Sequence, residues 1–299
     1  MKTITINGHN IGQGHPCYIV AEIGVNHNGC LKTALELVDA AKEAGADAVK
    51  IQTWNTDAIC STASKQYWGL KRMELSQGSF RVIRDHAKKR KIDFFTTPDD
   101  IESAIFAATN GAQAFKIGSG GLSPELIQFI GGFACNKIRS ASRIGNKPYH
   151  QHLDIPVIMS TGMSDWPKVR RSVKLLESTG CKFALMHCVS AYPAMATDMN
   201  LAMIRKLETF GVPVGLSDHS CEYRVAEAAI AAGAKLYEAH ITLDNFDKRG
   251  PDHRMSWNYT RFMELVGRIR AVEEVMGDGK KLVLECERGT MKILEGRKP

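Results

Sequence analysis

Apolar residues recur along this chain in two alternating patterns. Short β-rich runs, apolar on both faces, are each followed by a longer stretch with apolar positions every three or four residues. The strand-like runs are Tyr18–Ile23, Ala48–Gln52, Asp93–Thr96, Ala114–Ile117, Pro156–Met159, Phe183–His187, Pro213–Leu216 and Lys235–Ala239. The helix-like stretches are Leu31–Ala44, Ser79–Arg90, Ile101–Asn110, Pro124–Phe133, Lys168–Ser178, Leu201–Phe210, Glu222–Ala232 and Asn258–Met276. Several end at a glycine (Gly45, Gly111, Gly180, Gly211, Gly233), the expected left-handed stop signal. Such β-then-α units, about thirty residues each, predict parallel strands covered by helices. An eightfold count within roughly 250 residues favours a closed (β/α)₈ TIM barrel of the α/β class over a doubly wound sheet. No GxGxxG fingerprint follows the first strand, which weakens the dinucleotide-binding alternative further.

Residues 1–16, with turn signals at Asn7-Gly8 and Gly12–Gly14, predict a hairpin that closes the bottom of the barrel. The barrel is expected over residues 17–280, with a polar, basic insertion at 134–154 on the face opposite the chemistry. Residues 281–299 read as a short polar tail.

Composition narrows the function classes. Of 299 residues, 44% are hydrophobic and 24% charged, near the averages for globular proteins. No run approaches the ~18 apolar residues that span a bilayer, and Met1 to Asn7 lacks a signal-peptide core, so a cytoplasmic protein without membrane contact is expected. The eight cysteines form no CxxC pair and read as reduced thiols. A formal net charge of +7 is modest, and the densest basic run, His86 to Lys91, ends a helix, where cations complement the dipole. No aromatic stripe accompanies it, so nucleic acid is not an expected partner; a small anionic substrate suits the surplus better.

In a barrel, catalytic groups gather where strands end and βα loops begin. Those positions carry Glu22, Asn26 and His27; Lys50 and Gln52; Thr96 and Thr97; Lys116 and Ser119; Ser160 and Thr161; His187 and Ser190; Ser217, Asp218 and His219; Glu238, His240 and Asp244. Lys50 and Lys116 lie inside apolar strands, where a buried ammonium is costly without an anion. Either acidic partners or an anionic ligand should meet them, and with Ser/Thr hydroxyls nearby the ligand is the expected partner, of the phosphate-plus-carboxylate kind. His219 and His240 close consecutive strands, placing two imidazoles at one mouth, with Glu22 close by around the ring. That O/N donor set suits Mn²⁺, Mg²⁺, Fe²⁺ or Co²⁺ rather than a thiolate zinc site. His187 is a substrate-binding candidate, but His187 and Cys188 cannot both reach inward, because successive strand residues face opposite ways. Asp252, in Gly250-Pro-Asp-His253, reads equally as a general base, a sugar-hydroxyl acceptor or an Asx-turn residue.

Taken together, the motifs AEIGVNHNG (21–29), VKIQ (49–52), FKIGSG (115–120), STGM (160–163), HCVSAYP (187–193), LSDHS (216–220), HITLD (240–244) and GPDHRMS (250–256) resemble the sialic acid synthase family. That family comprises N-acetylneuraminate, legionaminate and pseudaminate synthases and related spore-coat polysaccharide proteins, and its fold is a (β/α)₈ barrel. The resemblance implies condensation of phosphoenolpyruvate with an N-acyl hexosamine such as N-acetylmannosamine and water, giving a nine-carbon 2-keto acid and phosphate. It implies His219 and His240 as Mn²⁺ ligands, with Mg²⁺ or Co²⁺ as alternatives. Lys50, Lys116, Ser119, Ser160, Ser190 and Ser217 match positions holding the phosphate and carboxylate of phosphoenolpyruvate. Glu22 matches the acidic group near the reacting carbon and the water, Gln52 and Tyr192 substrate contacts, and Asp252 a contact to an acceptor hydroxyl. A homodimer is expected.

The chain departs from the family pattern at Gly121, where an acidic residue is usual, at Asp99 in place of Phe, and at Ala239 in place of Lys. The first two touch the acceptor-sugar side. With the sequence ending at Pro299, the C-terminal antifreeze-like domain, whose Arg serves the partner's acceptor site in longer relatives, is expected to be absent. Alternatives are a phosphoenolpyruvate-dependent synthase acting on another sugar and a non-catalytic binding homologue. A Schiff-base aldolase fits less well, since its lysine would need a depressed pKa beside the histidine pair.

Overall fold

The computed structural model describes residues 2–135 and 154–295. All but the edges of the expected 134–154 insertion lies outside the described residues, as does the end of the tail.

The chain opens with an antiparallel hairpin of β1 (Ile4–Ile6) and β2 (His9–Ile11), turned by Asn7 and Gly8, both at positive φ (44° and 88°) as a two-residue primed turn requires. Then follow β3 (Tyr18–Gly24), α1 (Leu31–Glu43), β4 (Ala48–Thr53), α2 (Thr56–Ile59), α3 (Tyr67–Met73), α4 (Gln77–Arg90), β5 (Asp93–Pro98), α5 (Ile101–Thr109), β6 (Phe115–Ile117) and α6 (Pro124–Ala134). Beyond the undescribed residues come β7 (Val157–Ser160), α7 (Trp166–Thr179), β8 (Phe183–Cys188), α8 (Ala202–Glu208), β9 (Val214–Asp218), α9 (Tyr223–Ala231), β10 (Leu236–Thr242), β11 (Trp257–Asn258), α10 (Tyr259–Met276) and α11 (Arg288–Glu295). Strands β3 to β10 pair in chain order, all parallel, and β10 pairs back onto β3, which closes an eight-stranded barrel.

Local chemistry sets the helix ends. Asp100, Ser123, Asp165 and Asn258 each accept a backbone N–H from the first turn of α5, α6, α7 and α10, the capping that leaves fewer orphan donors. At the other end, α7 stops at Gly180 with φ of 75°. The stop of α4 was not visible as a glycine: Lys91 itself takes the left-handed conformation at φ 56°.

Pairing register decides which side chains enter the bore. Leu236 stands opposite Tyr18 and His240 opposite Glu22, while Lys50 follows Ala48 by two, so alternate residues point inward. The lower inward positions are apolar: Tyr18, Val20, Ala48, Phe95, Ala114, Ile158, Ala184, Met186 and Leu236 form one buried cluster with Ile4, Ile6 and Ile11 of the hairpin. The hairpin is therefore a plug, each fully buried isoleucine contributing about 1.5–3 kcal/mol of burial free energy. A larger apolar layer fills the space between barrel and helices, drawing on outward residues such as Ile19, Val49, Phe94 and Leu185.

Two segments differ from the expectations. The loop after β4 carries α2 and α3, both too short for apolar periodicity to reveal. The expected polar tail contains α11, with Ile293 and Leu294 exposed.

Candidate active site

Above the apolar plug the inward positions turn polar. One cavity at the carboxyl ends of the strands is lined by Glu22, Lys50, Gln52, Thr97, Lys116, Gly118, Ser119, Ser160, Cys188, Tyr192, Ser217, His219, Glu238 and His240. Gly118, Ser119, Tyr192 and His219 lie just beyond strand ends or in loops; the others sit at alternate, bore-facing strand positions, with Glu22, Lys50, Thr97, Lys116, Ser160, Cys188 and Glu238 one layer above Val20, Ala48, Phe95, Ala114, Ile158, Met186 and Leu236. A wider hollow lies at the opposite end, but its Asn7, His9, Arg84 and Asp93 already bond to one another or to nearby groups.

Both lysines are buried, and both meet carboxylates. Lys50 contacts Glu22 Oε2, donates to Thr97 Oγ1 at 2.9 Å and stands 3.7 Å from Glu238 Oε2. Lys116 donates to Glu238 Oε1 at 2.6 Å, and Ser217 Oγ donates to the same oxygen at 3.0 Å. Acidic side chains thus meet both ammonium groups, with β3 and β10 delivering the counter-charges from within the barrel. Glu238 had appeared only as one strand-end residue among many. Its parity with His240, two residues on, was the signal that placed it inside. Burial alone raises a carboxyl pKa, but Lys116 and Lys50 outweigh it and hold Glu238 below the usual carboxylate range. Burial pushes the Lys50 ammonium down, opposed by Glu238.

Hydroxyls line the other wall. Ser160 Oγ is buried without a hydrogen-bond partner. Gly162 N–H donates to Ser119 Oγ at 3.0 Å, and the Ser119 and Ser190 hydroxyls both lie within 2.5 Å of where a Gly162 Cβ would stand. Only glycine lets the loop after β7 approach them so closely.

The two imidazoles face each other with ring centroids 5.5 Å apart. His219 Nδ1 donates to the Val189 carbonyl at 2.9 Å, leaving Nε2 as its other nitrogen, and Tyr192 covers the ring at 4.4 Å between centroids. His240 Nδ1 is buried with no hydrogen-bond partner, and Asp252 Oδ2 lies 3.7 Å from it. Burial, His219 and Lys50 push His240 well below its ordinary value, so its ring is neutral. For His219 burial pulls downward, but Cys188 and the Val189 carbonyl prevail and raise it, so a cation there competes with a proton. An orphaned nitrogen beside a second imidazole fits a divalent cation in donor chemistry. Among the described residues no group of three or more His, Cys, Asp or Glu is placed to hold one.

His187 does not join the site. Its Nε2 hydrogen-bonds the Met199 carbonyl at 2.6 Å on the outer face of β8, and Cys188 takes the inward position, Sγ 3.9 Å from His219 Nδ1. Ser190 reaches the site through Gly162 and Cys188 (3.8 Å), and Asp252 sits at its edge beside His240.

No helix among the described residues is long and apolar enough to cross a membrane. Comparison with known proteins agrees with this architecture. A family model described as the NeuB family matches residues 37–133 and 132–281. The chain is 37% identical over 300 residues to an uncharacterized protein of Methanocaldococcus jannaschii, covering 100% of this chain and 82% of that one. It is 36% identical over 293 residues to the N,N'-diacetyllegionaminic acid synthase of Legionella pneumophila, covering 90% and 76%. Among solved structures, the N-acetylneuraminic acid (sialic acid) synthetase of Leptospira borgpetersenii in complex with citrate superposes with a TM-score of 0.86 at 27% identity, over 99% of this chain and 97% of that one. The chain belongs to the NeuB family, with the sialic acid, legionaminic acid and pseudaminic acid synthases among its relatives.

Proposed function

We propose that this protein is a synthase that joins phosphoenolpyruvate to an N-acyl hexosamine, taking up water and releasing phosphate to give a sialic-acid-type 2-keto sugar acid. The observation that carries this reading is the convergence of two buried ammonium groups and two facing imidazoles on one cavity. The names of the relatives supply the reaction class; the residues supply the means.

Lys50 and Lys116, with the hydroxyls of Ser119, Ser160, Ser190 and Ser217, hold the phosphate and carboxylate of phosphoenolpyruvate. The unpartnered Ser160 hydroxyl is free to donate to an oxyanion. His219 and His240 would hold a divalent cation, Mn²⁺ with Mg²⁺ or Co²⁺ as alternatives. When bound, that ion supplies Lewis acidity to the aldehyde oxygen of the sugar. Carbon C3 of the enol forms the new bond to the aldehyde carbon, whose oxygen takes up a proton. Water then adds at C2, where Glu22 orients it, and the C2–O bond to phosphate breaks. Gln52, Tyr192 and Asp252 contact the acceptor.

Phosphate release tests this directly, with Mn²⁺, phosphoenolpyruvate and a panel of N-acetylmannosamine, its 6-phosphate and a diacetamido hexose. Release is expected only when both acceptor and cation are present, and His240→Ala is expected to lower kcat at least 100-fold. Acceptor-independent release, or a His240→Ala protein of unchanged rate, overturns the proposal.

A further inference from the structure

Glu238 has no part in the steps above, yet it is the one carboxylate of the charged layer that lies near both ammonium groups. It rises from β10, whereas Lys116 rises from β6, halfway round the ring of strands. Its side chain thus spans the bore. One oxygen accepts from Lys116 at 2.6 Å and from Ser217 at 3.0 Å; the other lies 3.7 Å from Lys50 and has no hydrogen-bond partner, although the residue is only 4% exposed. One oxygen is anchored while its twin faces the cavity. Two ammonium groups near each other in a buried site repel, and a carboxylate shared between them offsets that repulsion. The same carboxylate cancels part of the field that an incoming oxyanion would feel.

We infer that Glu238 is a positioning residue for the anion site: from across the barrel it fixes the Lys116 ammonium, it stands between that group and Lys50, and it holds their affinity for phosphate-type oxyanions low enough for release. The part that concerns turnover rests on the condensation proposed above; the part that concerns anion binding does not.

Calorimetric titration of the whole protein with inorganic phosphate reads the binding part. Glu238→Gln is expected to bind phosphate about tenfold more tightly than wild type, the removal of one like charge beside the anion. Glu238→Asp keeps the charge but loses a methylene of reach, so its phosphate affinity should stay within about twofold of wild type. In steady-state kinetics Glu238→Gln should lower KM for phosphoenolpyruvate and lower kcat at least tenfold, while Glu238→Asp lowers kcat with KM little changed. A role in packing alone would instead reduce thermal stability and weaken binding in both variants.

Phosphate binding that is unchanged or weaker in folded Glu238→Gln overturns the inference. So does full kcat in Glu238→Asp, which decides the matter should Glu238→Gln fail to fold. A wild-type protein that takes up no phosphate at millimolar concentration overturns it as well. If wild type binds phosphate but condenses no acceptor, the functional proposal fails, and the phosphate titration of Glu238→Gln still decides the role of Glu238.

Discussion

The His27 ring has no exposed surface, and its Nδ1 accepts the Gly29 N–H at 2.9 Å, tying down the loop that follows β3. Burial pushes its pKa from 6.5 down to about 4. Between those values the unfolded chain binds a proton that the folded chain refuses, so stability is full above pH 6.5 and falls as the pH drops toward 4. About 3 kcal/mol of stability is lost across that window. In His27→Asn the side-chain oxygen can replace Nδ1 as acceptor. Urea denaturation at pH 7 and pH 4.5 should show wild type losing about 2–3 kcal/mol more than the variant; equal losses would contradict the buried, neutral ring. Residue parity also marks what the sequence reveals at this scale. Lys50, Lys116, His219 and His240 were legible because a charged or imidazole side chain in an apolar strand is conspicuous. His187 was misread because it is equally conspicuous but faces outward, and Cys188 was passed over because a small thiol carries no such signal.

Strands β9 and β10 approach so closely that a Cβ on Gly215 would lie 2.2 Å from the Leu236 carbonyl oxygen and 2.6 Å from the Leu236 Cβ. Backbone cannot yield as a flexible side chain does, so Gly215→Ala should cost about 3 kcal/mol, at the upper end of ordinary overpacking. A thermal melt within 1 °C of wild type would show that the seam has slack. This contact brings Ser217 next to Glu238, since Glu238 pairs with Ser217 in the β9–β10 register. At the scale of elements the sequence was most informative: all eight barrel strands and their covering helices fall within a few residues of expectation, because each repeats the same apolar period. What escaped it was short. The four residues of α2 and seven of α3 complete too few turns to establish a period, and they are held by tertiary bonds such as Glu74 accepting the Thr56 N–H at 3.0 Å.

The whole molecule separates stability from chemistry along the barrel axis. At the bottom, Asp93 accepts from Asn7 at 2.7 Å and Tyr18 at 2.7 Å and pairs with His9 at 2.8 Å, which fastens the hairpin to the barrel. Asp93→Ala leaves the buried Tyr18 hydroxyl without its acceptor and should cost about 3 kcal/mol. At 25 °C its kcat and KM should match wild type, and a variant that melts normally or loses activity at that temperature would break the division. The cross-barrel ion pairs were the least legible feature, since Lys116 and Glu238 stand 122 positions apart in the chain and only closure of the ring makes them neighbours. Closure also has a consequence for traffic. The isoleucine hairpin and the apolar rows above it stop the barrel at its base, so among the described residues the site is a well closed at the bottom. Whatever lodges on its ionic floor must arrive before, and depart after, anything resting above.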